Sequence, residues 1–140
     1  MRLTAKVDQI FVNLPVKDLN ESIEFFTKIG FEFDQQFTDE NATCMIIGEN
    51  IYAMLLKEEF FQTFTDKEIA DTSRMTEAIT ALSVSSKEEV DELVNKALAA
   101  GAQSSKAPTD AGFMYGGSFQ DIDGHLWEIF YMDAHAAPQE

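Results

Sequence analysis

The order strand, helix, three strands occurs twice in this chain, about 70 residues apart, and that repetition narrows the possible folds more than any other feature. In the first copy, "VDQIFVNLPV" (7–16) is rich in β-branched and aromatic residues and reads as a strand. Asp18 then precedes Glu21 by three, a capping signature. Leu19, Ile23 and Phe26 fall on one face of the helix that follows, and Gly30 supplies its stop. Strands "FEFDQQFT", "ATCMII" and "IYAMLL" come next, the last two joined across Gly48, Glu49 and Asn50 in a hairpin-length connection. The second copy opens with "AITALSV" (78–84), then Ser85 and Ser86, each with a Glu three residues on. Val90, Leu93, Val94, Ala97 and Leu98 form the full apolar stripe of a second helix, which Gly101 ends. Strands around "AQSSKAPT", "FMYGGSFQDI" and "HLWEIFYM" complete the unit. The expected fold class is α+β, built from two tandem β-α-β-β-β modules. Module one covers 5–57, a connector 58–76 and module two 77–133, within a single domain spanning 1–140.

A chain of 140 residues, 45% hydrophobic with 12 Phe, has the size and apolar content to bury a core as one domain. The connector region "KEEFFQTFTDKEIADTSRMTE" (57–77) belongs to neither module. Phe60, Phe61 and Phe64 would cluster on a short helix, which either pins the connector to the core or forms a lid over a pocket. Periodicity does not choose between the two. Ten basic against 25 acidic residues give a net charge of −15, which repels phosphate backbones and anionic membrane surfaces at long range. Neither nucleic acid nor membrane is an expected partner. The single cysteine, Cys44, lies in an apolar run and reads as a packed thiol, with no intramolecular disulfide possible. The N-terminal stretch has no apolar signal core, and no apolar run approaches the ~18 residues of a membrane span, so a cytoplasmic location is expected.

Two motifs in register with the repeat carry a family resemblance. Val16-Lys17-Asp18-Leu19 with Ser22, Phe25 and Phe26 forms one, and Asp121 to Glu128 forms the other, with Ile122 where a proline is usual. Together they resemble the vicinal oxygen chelate superfamily, which includes glyoxalase I, extradiol dioxygenases and bleomycin-resistance proteins. The resemblance covers nearly the whole chain. It implies that each module curls a mixed sheet into a half-barrel and that the two enclose one pocket, commonly in a homodimer. It also implies a metal ligand on the first and last strand of each module. Those positions correspond to Phe11 and Glu128, and the internal repeat pairs Phe11 with Ile79 and Met54 with Glu128. Phe and Ile have no donor atom, and a Met thioether is a poor ligand for Mg, Mn, Ni, Fe(II) or Zn. One carboxylate alone does not make such a site, so no metal and no other cofactor is expected.

Glu128 interrupts an apolar run, "HLWEIFYM", that reads as a strand covered on both faces. A carboxylate there needs a partner or a purpose. Enclosure would bring its proton equilibrium toward neutrality, as a general acid or base requires. Alternatively it anchors a ligand's amine or hydroxyl, or is satisfied internally by Asn13, Tyr52, Ser83 or Tyr115. The foremost expectation is a small-molecule binding protein whose pocket is lined by Phe11, Asn13, Tyr52, Met54, Ile79, Ser83 and Tyr115, with Glu128 as polar anchor. The other is a lyase, isomerase or dioxygenase-type enzyme, in which Glu128 is a catalytic general base or the ligand of a metal site not located by this alignment. The sequence leaves open whether the protein is an enzyme. His125 is expected at the surface or the hairpin end, and His135 in a frayed tail. Asp121 and Asp123 beside Gly124 predict a tight turn rather than a calcium loop.

Overall fold

Each module opens with a strand, and a capped helix follows it and leads into the second strand. The computed structural model describes residues 5–133, so the expectation for His135 lies outside the described residues. The chain divides into two compact units between Ile69 and Ala70, inside the connector.

The first unit contains β1 (Ile10–Val16), α1 (Leu19–Ile29), β2 (Glu32–Asp34), β3 (Ala42–Gly48), β4 (Ile51–Lys57) and the short α2 (Glu58–Phe61). Its sheet order is β1-β4-β3-β2, with β1 and β4 parallel and the remaining pairs antiparallel. The Asp18 side chain accepts from the Glu21 amide at 3.0 Å, which starts α1 where the sequence places it. Gly30 ends the helix with a φ of 121°, a backbone state that L side chains resist. The expected strand "FEFDQQFT" is cut short, because Asp34 accepts from the Gln36 amide at 3.0 Å and folds Gln35–Phe37 into a 3-10 turn.

The second unit contains β5 (Ile79–Ser83), α3 (Lys87–Ala99), β6 (Gln103–Ser104), β7 (Thr109–Asp110), β8 (Met114–Gln120) and β9 (Leu126–Met132). Its order is β5-β9-β8-β6, with β7 also on β8, and β5 and β9 are again parallel. Ser86 rather than Ser85 is the cap, accepting from the Glu89 amide at 3.1 Å. The stretch "AQSSKAPT" yields two short strands instead of one, separated by a loop that contains Lys106 and Pro108. Proline has no amide hydrogen to offer a ladder.

The modules share a topology and distribute bulk oppositely. In the first, α1 brings the large residues, with Leu19, Phe25, Phe26 and Ile29 all buried, while β4 offers the small Ala53. In the second, the sheet brings them as Phe119 and Trp127, and α3 answers with Val90 and Ala97. Gly117 of β8 lies so close to α3 that an added Cβ would stand 3.2 Å from the Val94 methyl.

The connector is held at both ends. α2 packs against β1 and β4, and Phe60 meets Phe64 edge to face at 5.2 Å. Phe60 and Phe61 are half-buried, but Phe64 is 61% exposed, so the three rings do not form one buried cluster. In the second unit the Thr72 hydroxyl donates to the Asp123 carbonyl. Gly124, at φ 87°, leaves room for that contact, since a Cβ would meet Thr72 at 3.0 Å. Among the described residues, no helix is long and apolar enough to cross a membrane.

Candidate functional site

Strand register fixes which side chains share a face. Asn13 lies opposite Met54 in the β1–β4 ladder, and Ala81 lies opposite Glu128 in the β5–β9 ladder. Phe11 and Ile79 are each two residues earlier, opposite Tyr52 and Leu126. Phe11, Met54, Ile79 and Glu128 therefore occupy equivalent places in their own sheets, on the faces turned away from α1 and α3. On its sheet Phe11 stacks on Tyr52 with ring centroids 4.8 Å apart and 14° between planes. Asn13 and Met54 share that face, as Ser83 shares the face of Ile79.

Two expectations about this set need correction. Glu128 is exposed, while its neighbours Trp127 and Ile129 are buried against α3. The apolar run is thus covered on one face only, and the premise of a carboxylate buried from both sides fails. Tyr115 does not join the face of Glu128. It alternates with Gly116 along β8, and its hydroxyl donates to Asp91 of α3 at 2.6 Å. The Lys87 ammonium stands 5.9 Å from the Tyr115 ring and 3.4 Å from Asp110. Its hydrogen bond to Asp91 raises the Tyr115 hydroxyl above its usual pKa, while the Gly112 amide and Lys87 hold Asp110 below the carboxylate range.

The open face of the second sheet carries a cleft of about 180 Å³, lined by Lys106, Thr109, Met114, Gly116, Ser118, Glu128 and Phe130 among others. Ser118 lies opposite Glu128, and Gly116 opposite Phe130, across the β8–β9 ladder. Among the described residues, no hydrogen bond or ion pair holds the side chain of Glu128 or of Lys106. Sequence reasoning missed Lys106, Met114, Ser118 and Phe130. The signal for Ser118 was present, because the Asp121–His125 turn closes a hairpin in which Gln120 faces Leu126, and Ser118 then falls opposite Glu128. A larger hollow of about 350 Å³ in the first unit is lined by Lys17, Asp18, Asn20, Asp39, Glu40 and Lys57 around Leu19. Two of its three carboxylates have structural duties: Asp18 caps α1, and Asp39 accepts from the amides of Asn41 and Ala42.

At the turn between β8 and β9, Asp121 is buried and takes the amides of Asp123 and His125 on one oxygen and the Trp127 indole N–H on the other, at 2.9 to 3.0 Å. Burial pushes its carboxyl above the usual range, against the opposing pull of His125 and these donors. The expected turn is present. His125, expected at the surface or the hairpin end, is at the hairpin end just before β9, but it is 3% exposed rather than at the surface, with Nδ1 2.7 Å from Glu77. The connector residues around Glu77 and Thr72 lie over this turn, a tertiary contact that no local pattern announces. Cys44 is buried as expected, and burial followed by the nearby Asp34 raises its thiol pKa.

The divalent ion implied by the family resemblance does not suit the residues at the four equivalent positions. Only Glu128 offers a hard donor there. Among the described residues, no three His, Cys, Asp or Glu side chains gather into a group that would hold an ion.

Comparison with known proteins adds a family and a set of folds. The model of the glyoxalase/bleomycin resistance protein/dioxygenase superfamily matches residues 6–129. No match is found among curated proteins. Among solved structures, the chain is similar to a hypothetical protein from S. aureus, with 28% identity and a TM-score of 0.78 over 91% of this chain and 95% of that one. It is also similar to a glyoxalase/bleomycin resistance protein/dioxygenase family enzyme from Burkholderia phytofirmans PsJN, at 22% identity and a TM-score of 0.73 over 87% and 96% of the two chains. A genomically encoded fosfomycin resistance protein, FosX, from Listeria monocytogenes matches in fold at 20% identity, with a TM-score of 0.63 over 96% and 98%.

Proposed function

Because the chain belongs to the glyoxalase/bleomycin resistance protein/dioxygenase superfamily, we propose that it binds a small, partly apolar molecule without a metal ion, with Glu128 as the polar anchor of the site. The observation that carries this reading is the cleft on the second sheet, where Glu128 stands exposed beside Phe130, Met114 and Ser118. A structural carboxylate would be held by donors, as Asp121 is, and the Glu128 side chain has no such partner among the described residues. A ligand's amine or hydroxyl would fill that role, and a phenyl ring and a thioether would take up the apolar part.

Binding then works by the ordinary division of labour in small-molecule sites. Apolar contact supplies most of the attraction, and one or two polar groups fix orientation. At about 180 Å³ the cleft is smaller than the ~300 Å³ at which drug-sized pockets begin, so it holds a compact molecule or one end of a larger one. The test is a thermal-shift screen of small polar aromatics and aliphatic acids and amines, run on the wild type and on Gly116→Val. The added side chain would project into the cleft, since even a Cβ at Gly116 meets only ordinary contacts at 3.6 and 3.7 Å. Ligands are expected to raise the Tm of the wild type but not of the variant, and to be recovered chemically unchanged. Recovery of a converted product would favour the enzyme reading, with Glu128 as its acid or base. Equal Tm shifts in both proteins would remove the cleft from the site.

A further inference from the structure

We infer that Lys106 completes this cleft as an oxyanion anchor, so that the ligand is a compact molecule with a carboxylate-like group at one end, an amine or hydroxyl at the other and an apolar body between. The inference rests on the reading of the cleft as a ligand site and adds the chemistry of what enters it. The loop between β6 and β7 brings Lys106 and Ala107 to the lining that Glu128, Ser118 and Phe130 form from the sheet. Lys87 and Lys96 of the same unit are committed to ion pairs, with Asp110 at 3.4 Å and Glu92 at 3.1 Å. Lys106 has no comparable partner among the described residues, and neither has Glu128. A cation and a carboxylate that line one small cleft without satisfying protein groups present one charge of each sign to whatever lies between them.

The charge of the whole chain sharpens the point. At −15, the protein repels an anion at long range, so an acidic ligand must gain its affinity from a local cation. Lys106 supplies that cation at the cleft. Charge-assisted hydrogen bonds at both ends exceed neutral ones in strength, and together they select molecules that carry both groups at a matching separation. Phe130 and Met114 favour an apolar or aromatic body between the two ends.

The test uses the full chain, labelled with 15N, and follows the backbone amides of Gly116, Gly117 and Ser118 by NMR. The probes are phenylalanine, 3-phenylpropionate, phenethylamine and benzyl alcohol, which share a ring and differ in charge. Phenylalanine is expected to bind the wild type most tightly. Lys106→Met should weaken phenylalanine and 3-phenylpropionate by about tenfold while leaving phenethylamine unchanged. Glu128→Gln should do the converse, weakening phenethylamine and sparing 3-phenylpropionate. If 3-phenylpropionate and phenylalanine bind Lys106→Met as tightly as the wild type, or bind the wild type no better than benzyl alcohol, Lys106 is no anchor and the inference falls. Shifts from phenethylamine and benzyl alcohol at the same amides would then still leave the cleft as a ligand site. If none of the four probes moves those amides in the wild type, the inference and the reading of the cleft fall together.

Discussion

Cys44 of β3 and Ser118 of β8 occupy the same place in their modules, opposite Met54 and Glu128 respectively, yet one is 1% exposed and the other lines an open cleft. The same contrast holds around them. Pro15, Ala42 and Leu56 are buried on the face of the first sheet turned away from α1, whereas Gly116 and Phe130, the counterparts of Ala42 and Leu56, are half-buried on the second. In the first unit, α2 follows directly on β4 and packs against β1 and β4. Two copies of one topology thus diverge by side-chain choice and by one short helix. The first module closes this stretch of its face, and the second leaves it open with a carboxylate at its centre.

The opposite placement of bulk gives the sharpest test of how alike the modules are. Trp127→Ala and Phe26→Ala each empty one side of a helix–sheet interface, and each should cost about 3–5 kcal/mol in urea unfolding. A loss confined to one of the two would mean that only one module depends on filling this interface. Next in size is the pair Gly117→Ala and Gly116→Ala. The first pushes a methyl to within 3.2 Å of Val94 and should cost about 1–3 kcal/mol, while the second makes only ordinary contacts at 3.6 and 3.7 Å and should stay within about 0.5 kcal/mol. Equal costs would contradict the assignment of the two faces of β8.

The closed and open faces can also be compared by chemical labelling. Native Cys44 should react with a maleimide at least about tenfold more slowly than the thiol of Ser118→Cys placed in a Cys44→Ser background, because its burial hinders access and disfavours the thiolate. Replacing Phe60 and Phe61 by Ala should narrow that gap if α2 covers the face. The smallest effect concerns Asp121, whose pKa in the folded protein is raised by burial. For a carboxyl raised on folding, the contribution to stability is fully present below its unfolded pKa of about 3.9 and is lost as pH rises through the folded value. The stability difference between wild type and Asp121→Asn should therefore shift toward the wild type as pH falls into that window, as read from urea titrations at several pH values.

Much of the fold was legible because short-range chemistry announces it. Asp18 and Ser86 cap their helices by bonds to residues three ahead, and Gly30 stops the first helix by its backbone freedom. The internal repeat then placed Phe11 with Ile79 and Met54 with Glu128 at matching register, which the two parallel ladders reproduce. What failed depended on contacts between distant segments. His125 lies at the hairpin end as expected but is buried there and bonded to Glu77, 48 residues away, and Thr72 reaches Asp123 across 51. Tyr115 was assigned to the wrong face for want of a register for β8, although the turn at Asp121–His125 contains that information. Lys106 was invisible because loops carry no periodicity from which a direction could be read.

The central question is whether Glu128 meets an organic ligand or a metal ion. The direct measurement is metal content per chain by elemental analysis, on protein purified without a metal-affinity step and again after incubation with Ni, Zn, Mn and Fe(II) followed by desalting. The expected result is no ion above background, which leaves Glu128 as an anchor for an amine or hydroxyl. Near-stoichiometric retention of one ion would contradict it, making Glu128 a ligand and requiring donors other than Phe11, Met54 and Ile79.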